Sequence, residues 1–369
     1  MISEGLVTVA VLSLLAVVIV LSTLIVLIRG TRRHRQRRRE RTAEPVRGLL
    51  FELLCAEGDE QSRLLERLAA IDRRAWSALE PHVAELLEKV SGGARTALIR
   101  LYGLRGATAA AVTDLTRHSA VRRGRAAQVL GRLAHTPAVP PLCRLLADRD
   151  PEVRMAAARA LGRCQDPAAV PYLLACLTGP RTVPPGVVTH ALTALGPEGL
   201  RFVAVGLDHP EHLARAVAAE VLGATGAVSR TAEVVHALRA DPHTEVRIRA
   251  ARALGRLGMP DGLEPLLAAV LPGRPVALRI VAVSALGSLG AVAATPRLAA
   301  LLDDTDPHVA ATAARALLRL GPRGQAALRS AAAAADGRPD GRAAAHARAA
   351  LAEAAVGGTR LDVRAEVAL

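Results

Sequence analysis

The chain has 369 residues and a formal net charge of +14, and 51% of its residues are hydrophobic although only 1% are aromatic. A core made of leucine, valine and alanine without large rings favours closely packed helices and argues against a β-rich fold, which draws on aromatic and β-branched residues. The shortage of rings also argues against single-stranded nucleic acid as a ligand, because its bases stack on aromatic side chains.

The first segments are predicted to anchor the chain in a membrane. Residues 1–5 form a short tail, and residues 6–28 are an uncharged, mostly apolar run of 23 residues. At about 1.5 Å per residue, a helix of this length crosses the roughly 30 Å hydrocarbon core of a bilayer. Because the basic residues follow this run and do not precede it, a transmembrane helix is favoured over a cleaved signal peptide.

A basic juxtamembrane linker, residues 29–44, follows. Its arginines are Arg29, Arg32, Arg33, Arg35, Arg37, Arg38, Arg39 and Arg41. By the positive-inside rule they place the N-terminus outside and the rest of the chain in the cytoplasm at the inner membrane. Their main predicted role is this topology signal, and contact with anionic lipid headgroups is an additional possibility.

Beyond the linker, residues 45–93 are expected to form a divergent helical hairpin region and residues 94–356 a regular array. An Ala-Leu-Gly motif or a close variant recurs in the array. Its glycines are Gly131, Gly162, Gly196, Gly223, Gly255 and Gly287. Consecutive glycines are 27 to 34 residues apart, a spacing that suits stacked helical hairpins of about 30 to 45 residues.

The motif ends the second helix of each hairpin. In one such helix, Val153, Ala156, Ala157, Ala160 and Leu161 form a single apolar stripe at helical spacing. A hairpin with one apolar stripe per helix cannot complete a core alone, so neighbouring hairpins must stack. The fold class is therefore an all-α solenoid, preceded by the transmembrane helix.

Turns within the hairpins carry a second recurring signal, the dipeptide Asp-Pro. It occurs at 150–151, 241–242 and 306–307. Aspartate can cap the free amides at the start of a helix, and proline fits the first helical position. We expect each of these dipeptides to begin a second helix.

Residues 150–162 and 241–258 resemble HEAT repeats, especially the bacterial HEAT-like repeats of the phycobiliprotein lyase type. The resemblance covers about residues 94–320 and, more weakly, 45–93 and 321–356. It implies that an arginine early in the second helix links adjacent units. That position holds Arg154, Arg215, Arg247 and Arg279, whereas Val188 and Ala310 depart from it.

Partner contacts are predicted on the concave face that the second helices line. At 100° per residue, Arg159, Arg252 and Arg315 point away from the buried stripes of their helices. Thr193 and Glu220 occupy equivalent positions and interrupt the positive track. The pattern favours a protein partner and makes nucleic acid an unfavoured one.

No catalytic, cofactor-binding or metal-binding set is predicted. The one compact group of possible metal ligands is Asp208, His209, Glu211 and His212. Its place at a turn suits helix capping better. The four cysteines lie in apolar helical stretches and are expected to be buried thiols. The chain is accordingly predicted not to be an enzyme.

The C-terminal tail, residues 357–369, changes pattern. Apolar and charged residues alternate from Arg360 to Leu369 after two glycines, so the tail is expected to be either a short strand or a frayed end. The whole chain is interpreted as a membrane-anchored scaffold or adaptor that binds a protein near the membrane. The alternatives are a lyase-type or other modifying or regulatory subunit, as the family resemblance implies, and a nucleic-acid-binding solenoid.

Overall fold

The structure is a computed structural model. It describes residues 44–334 and 341–366, together with residues 12, 15, 19–23 and 29, and it describes side chains as far as residue 355. All regular structure within these residues is helical, and the predicted all-α fold is confirmed.

Residues 1–113 form one compact region and residues 114–369 a second. The first contains a helix over 44–55 (α1), α2 (Gly58–Ala70), α3 (Arg73–Lys89) and α4 (Gly92–Leu104), and α5 (Ala107–Asp114) ends at the boundary. The rings of Trp76 and Tyr102 meet edge to face, with centroids 5.6 Å apart. Arg105 stacks on Trp76 and donates hydrogen bonds to the carbonyls of Ala69 and Ile71 at 2.8 and 2.6 Å. These contacts fix α4 against α2 and α3.

The second compact region is a stack of helical hairpins in two layers, and each hairpin is one repeat unit. The first-helix layer contains α7 (Val139–Leu145), α9 (Val170–Ala175), α11 (Pro197–Val205), α13 (Thr231–Ala240), α15 (Leu263–Ala269), α17 (Thr295–Ala300) and α19 (Pro322–Ala333). The second-helix layer contains α6 (Ala120–Arg132), α8 (Pro151–Cys164), α10 (Pro185–Ala194), α12 (His212–Ala224), α14 (Thr244–Leu257), α16 (Val276–Leu289), α18 (Pro307–Arg319) and α20 (Arg342–Glu366).

From α8 to α20, each second helix packs on the first helix of its own hairpin, and neighbouring second helices from α6 to α20 pack on one another. Neighbouring second helices contact one another more extensively than neighbouring first helices do. Apolar side chains of both layers fill the space between them, including Leu161, Leu222, Leu254, Leu286 and Leu317, all fully buried. The second-helix layer is thus the tightly spaced side of the stack.

The glycine of the repeated motif explains this tight spacing. A methyl group on Gly131 would lie 2.6 Å from Cα of Ala160 in the next second helix, and one on Gly223 would lie 2.5 Å from Cα of Ala253. Gly255 meets Ala285 in the same way, at 2.8 Å. The alanine and the glycine of the motif are therefore the two sides of one helix contact, which any larger residue would force apart.

Arginine and aspartate side chains link successive units. Arg123 pairs with Asp148 at 2.7 Å, Arg215 pairs with Asp241 at 2.6 Å, and Arg279 pairs with Asp304. In each pair the arginine is near the start of a second helix and the aspartate lies in the turn of the following unit. These side chains are 6 to 15% exposed, so the pairs are largely shielded from solvent.

The predicted role of the arginines as links between units is confirmed for Arg215 and Arg279, and for Arg154, which donates to the carbonyl of Thr182 in the next unit. Arg247 differs. It donates to Oγ1 of Thr244, and its buried Nε has no acceptor among the described residues. The loop that faces it, residues 271–275, contains no aspartate or glutamate.

Asp150 and Asp306 cap their helices as predicted, each accepting hydrogen bonds from two backbone amides of the first turn. Asp241 does not begin a helix, because His243 holds the capping position of α14. Asp241 instead accepts from the His243 amide and pairs with Arg215. The Asp-Pro dipeptide thus marks two different positions of the turn.

The described part of the chain has no helix that is long and apolar enough to span a bilayer, and this finding contradicts the predicted location in the inner membrane. Most of the proposed span 6–28, and the proposed lipid or topology arginines except Arg29, lie outside the described residues.

The C-terminal tail, which was expected to be either a short strand or a frayed end, is neither as far as residue 366. The backbone of α20 is helical through Gly357 and Gly358 as far as Glu366, and residues 367–369 lie outside the described part. Two glycines cost a helix only about 1 kcal/mol each. The N-terminal part of α20 is held by α18 and α19, and a helix that is already nucleated extends easily.

Candidate functional site

The three arginines predicted to contact a partner lie on the second-helix face. Arg159 of α8 and Arg315 of α18 are exposed, and Arg252 of α14 is half-buried. Each directly precedes the alanine that packs against the previous second helix, so the helix contact fixes where the arginine side chain starts. Whether these residues bind a partner remains a proposal, developed below.

Arg252 and Arg315 line one cleft of about 390 Å³, together with Arg256 and Arg319. The arginines form two pairs, each four residues apart on one helix, and we call the cleft between the pairs the arginine trough. Between them lies α16, which contributes Ser284, Ala285 and Ser288 to the lining. The serines occupy the positions that arginines hold on both flanking helices, so short side chains form the floor and long basic ones form the walls.

The positive charges of the trough are not neutralised within the protein. Its lining contains no aspartate or glutamate. Across the described residues, none of its four arginines has a carboxylate within ion-pair distance. Arg319 donates weakly to Ser284 and to Oγ of Ser288, at 3.3 to 3.5 Å, and Arg315 donates to a carbonyl of its own helix at 3.4 Å. Four guanidinium groups thus remain available to an anionic ligand.

The rest of the second-helix face is different. Glu220 of α12, at the position equivalent to Arg252, pairs with Arg249, which also pairs with Glu245 at 2.8 Å. Burial and the nearby charge of Arg252 both lower the pKa of Arg249. On α10 the equivalent residue is His190 and not Thr193 as predicted, because the alanine of α10 that packs on Gly162 is Ala191. Arg159 is therefore separated from the trough by two units. The structure therefore groups Arg252 and Arg315 and leaves Arg159 apart.

Arg256 and Arg319 were not among the predicted contact residues. They lie one helical turn beyond Arg252 and Arg315, and residues four apart on a helix share a face. The four-residue spacing was therefore enough to predict that Arg256 and Arg319 share a helix face with Arg252 and Arg315. What the sequence did not reveal is that Arg252 and Arg315, 63 positions apart, line the same cleft.

A second cleft, of about 670 Å³, lies among the first helices α11 and α13 and the turn that precedes α12. Asp208 and His209 of the predicted ligand cluster line it, with Glu233 and His236. His212 points elsewhere and stacks on His243, with ring centroids 4.4 Å apart. Among the described residues, no group of three or more histidine, cysteine or acidic side chains is arranged to hold a metal ion.

Cys143 and Cys176 line a third cleft, of about 490 Å³, with Leu146, Tyr172 and Arg181. Burial raises the pKa of Cys143 to about 11 and that of Cys176 to about 12. Both thiols are therefore protonated at neutral pH and are poor nucleophiles. Burial also raises the pKa of Cys164, to about 12. Cys55 is exposed, in contrast to its prediction as a buried thiol.

Two packed layers of helical hairpins, with the basic trough on the tightly spaced layer, define the protein as a helical repeat protein. Models of HEAT repeats match residues 108–196 and 200–276, and a model of the PBS lyase HEAT-like repeat matches residues 278–304. The chain belongs to the HEAT repeat family, as the sequence motif predicted.

Phycocyanobilin lyase subunit alpha of Nostoc sp. (strain PCC 7120) is 33% identical over 179 residues. The match covers 48% of this chain and 57% of the relative, so the chain spans little more than half of that protein.

Among solved structures, the complex of CpcE and CpcF of phycocyanin lyase from Nostoc sp. PCC7120 is 25% identical, with 60% of this chain and 92% of that chain covered and a TM-score of 0.32. Importin beta is 13% identical, with 78% and 50% covered and a TM-score of 0.46.

The relative from Nostoc corrects the prediction that the chain is not an enzyme. That prediction rested on the lack of a recognisable catalytic motif in the sequence. A relative that is 33% identical to this chain over 179 residues is a lyase subunit, and this relationship contradicts the prediction. Repeat proteins place their functional groups on side chains that vary between repeats, and these form no local sequence motif.

Proposed function

We propose that the protein is a lyase-type HEAT subunit that acts by binding a partner protein on its second-helix face. The observation that carries the proposal is the arginine trough, where four basic side chains converge without an internal carboxylate. The lyase part of the proposal is supported by the relationship to phycocyanobilin lyase subunit alpha.

Part of the positive charge of the first-helix layer is already neutralised. Two of its arginines, Arg201 and Arg230, already have ion-pair partners one turn away, Glu198 at 3.8 Å and Glu233 at 3.0 Å. Exposed pairs of this kind contribute little stability, but they neutralise the local charge. The trough lacks such compensation, so its field extends into solvent and attracts anionic groups.

The relative is one subunit of a lyase, which suggests that this chain also acts together with another protein. A subunit that holds a partner protein and orients it can raise a reaction rate without supplying the reacting group, since orientation alone removes a large part of an entropic barrier. We propose that the repeat array serves as this holding surface in a lyase with at least one further protein component.

The lyase proposal is tested by substitution in a reconstituted reaction. The full chain replaces subunit alpha of the Nostoc lyase, with phycocyanobilin, apo-phycocyanin and the remaining lyase subunit present. We expect phycocyanobilin to stay attached to phycocyanin after denaturation, above the level of a reaction without the chain. Attachment should fall with Arg252→Glu/Arg315→Glu. Background attachment with a folded chain would contradict the lyase proposal.

A further inference from the structure

The arginine trough has a regular geometry that restricts what it can bind. Arg252 and Arg256 on one wall, and Arg315 and Arg319 on the other, are each separated by four residues of helix. Four residues correspond to a rise of about 6 Å. Both walls therefore present positive charges at the repeat distance of an α-helix, along helices that flank the same floor helix, α16.

The floor of the trough favours close approach. Ser284 is half-buried and Ser288 is exposed, and both hydroxyl groups lie near the guanidinium group of Arg319. Short side chains between two rows of long basic ones leave the space of about 390 Å³ that separates the walls. Side chains of a ligand can enter this space and meet arginines on both sides.

The basic region is also short. Glu220 and His190 occupy the equivalent positions of the two preceding units, and Glu220 is already paired with Arg249. A nucleic acid duplex needs phosphate contacts along a longer path. A segment with a few carboxylates, repeated at helical spacing, fits a trough that is one helical turn long on each wall.

We propose that the arginine trough is the docking site of an acidic helix of the partner protein. The inference rests on the proposed function, because it assigns the class of segment that the second-helix face binds. Glutamates at i, i+3, i+4 and i+7 of such a helix form two rows on one side, each with the same spacing as an arginine pair. Carboxylate and guanidinium groups can then form several charge-assisted hydrogen bonds at once.

The experiment uses the full chain and a fluorescent helix-forming peptide with glutamates at i, i+3, i+4 and i+7, measured by anisotropy at low salt. We expect saturable binding that weakens as salt is added. A peptide with glutamine at the same four positions should not bind. Arg252→Glu/Arg315→Glu should weaken binding by about tenfold or more. Equal binding of the two peptides, or unchanged binding by the folded double variant, would overturn the proposal.

Two further variants separate docking in the trough from general attraction. Arg159→Glu makes the same charge change as Arg252→Glu at the equivalent position of another repeat, and it should leave peptide binding nearly unchanged. Ser288→Leu keeps all four arginines but fills the floor, and it should weaken binding by about threefold or more because apolar bulk blocks the approach. If Arg159→Glu and Arg252→Glu have equal effects, the trough is not the site.

The result is distinguishable from the outcome of the lyase reaction. Peptide binding without phycocyanobilin attachment would keep the docking site and remove the lyase function. If phycocyanobilin itself bound to the trough with the same arginine dependence and the peptide did not, the trough would be a small-ligand site and the acidic helix would be excluded.

Discussion

Arginine and aspartate pairs hold successive units in register at the residue scale. In the pair of Arg215 and Asp241, Nε and Nη2 donate to the two carboxylate oxygens at 2.6 and 3.1 Å. Nη1 of the same arginine donates to the carbonyls of His209 and Pro210, at 2.8 Å each. One side chain therefore connects the turn of its own unit to the turn of the next.

The pH dependence of this pair follows from the aspartate. Burial alone would raise the pKa of Asp241, but hydrogen bonds from Arg215 and from the His243 amide outweigh burial, and the pKa is lowered. A lowered pKa in the folded state stabilises the protein above the ordinary value of about 3.9. This stabilisation is lost as the pH falls through the folded-state pKa.

We predict that Asp241→Asn lowers the free energy of unfolding by about 2–4 kcal/mol at pH 7, because Arg215 remains in place without its counter-ion. The difference between the variant and the unaltered chain should shrink below about pH 4. Urea unfolding at several pH values measures both effects. The exposed Asp261→Asn is the control and should change stability by less than about 0.5 kcal/mol. A difference that is independent of pH would contradict the assignment.

Part of this network could be predicted from the sequence and part could not. The repeated position of Arg215 and Arg279 identified them as links, since the same residue type recurs at the same point of each unit. Asp148, Asp241 and Asp304 share a position only once the units are aligned by their turns, and turn lengths vary. Arg247 has no aspartate partner among the described residues, and the corresponding loop of the following unit, residues 271–275, contains no aspartate or glutamate, a difference that the repeat pattern does not encode.

Helix packing at the element scale depends on the contact between glycine and alanine. At five positions a second helix meets the next one so closely that no side chain fits. A methyl group there would lie 2.5 to 2.9 Å from its nearest backbone neighbour, and the residues are Gly131, Gly162, Gly223, Gly255 and Gly287. Glycine in the middle of a helix costs about 0.5–1 kcal/mol relative to alanine. Close packing of the two helices compensates for that cost.

We predict that Gly131→Ala destabilises the protein by about 1–3 kcal/mol or more, since the added methyl group meets the backbone of Ala160. Gly124→Ala, in the same helix, is the matched control. Its methyl group would meet only a side-chain methyl of Val153, at 3.9 Å, so it should be neutral or stabilising by up to about 1 kcal/mol. Thermal unfolding of both variants checks the prediction. Equal effects of the two substitutions would show that the contact is not close.

The motif predicted most of these contacts because the apolar stripe, the small alanine and the terminal glycine of a second helix are close in sequence, and repetition makes the pattern visible. The copy at residues 194–196 is an exception, since Gly162 packs on Ala191 and Gly196 instead precedes α11.

The C-terminal helix was not predicted. Alternation of apolar and charged residues after Gly358 indicated either a short strand or a frayed end, but a strand requires a neighbouring strand, and the preceding packed helix continues instead.

At the scale of the whole molecule, the sequence predicted the stacked helical hairpins, but it did not predict the arginine trough. The trough depends on side chains from three consecutive units, and a serine pair on the middle helix is as important as the arginines on its neighbours. Such a combination becomes visible only after the units are superimposed. The prediction against an enzyme was wrong for a related reason, because it relied on the lack of a local catalytic motif.

The central claim is that the second-helix face, and not the first-helix face, binds the partner. Co-purification with the tagged full chain, quantified by mass spectrometry, compares two double charge reversals of equal size. Arg252→Glu/Arg315→Glu changes the trough, and Arg201→Glu/Arg239→Glu changes exposed residues of the first helices α11 and α13. We predict that the trough variant loses the partner that the unaltered chain retains, while the first-helix variant keeps it. Equal partner yields from both folded variants, or no partner on the unaltered chain, would contradict the claim.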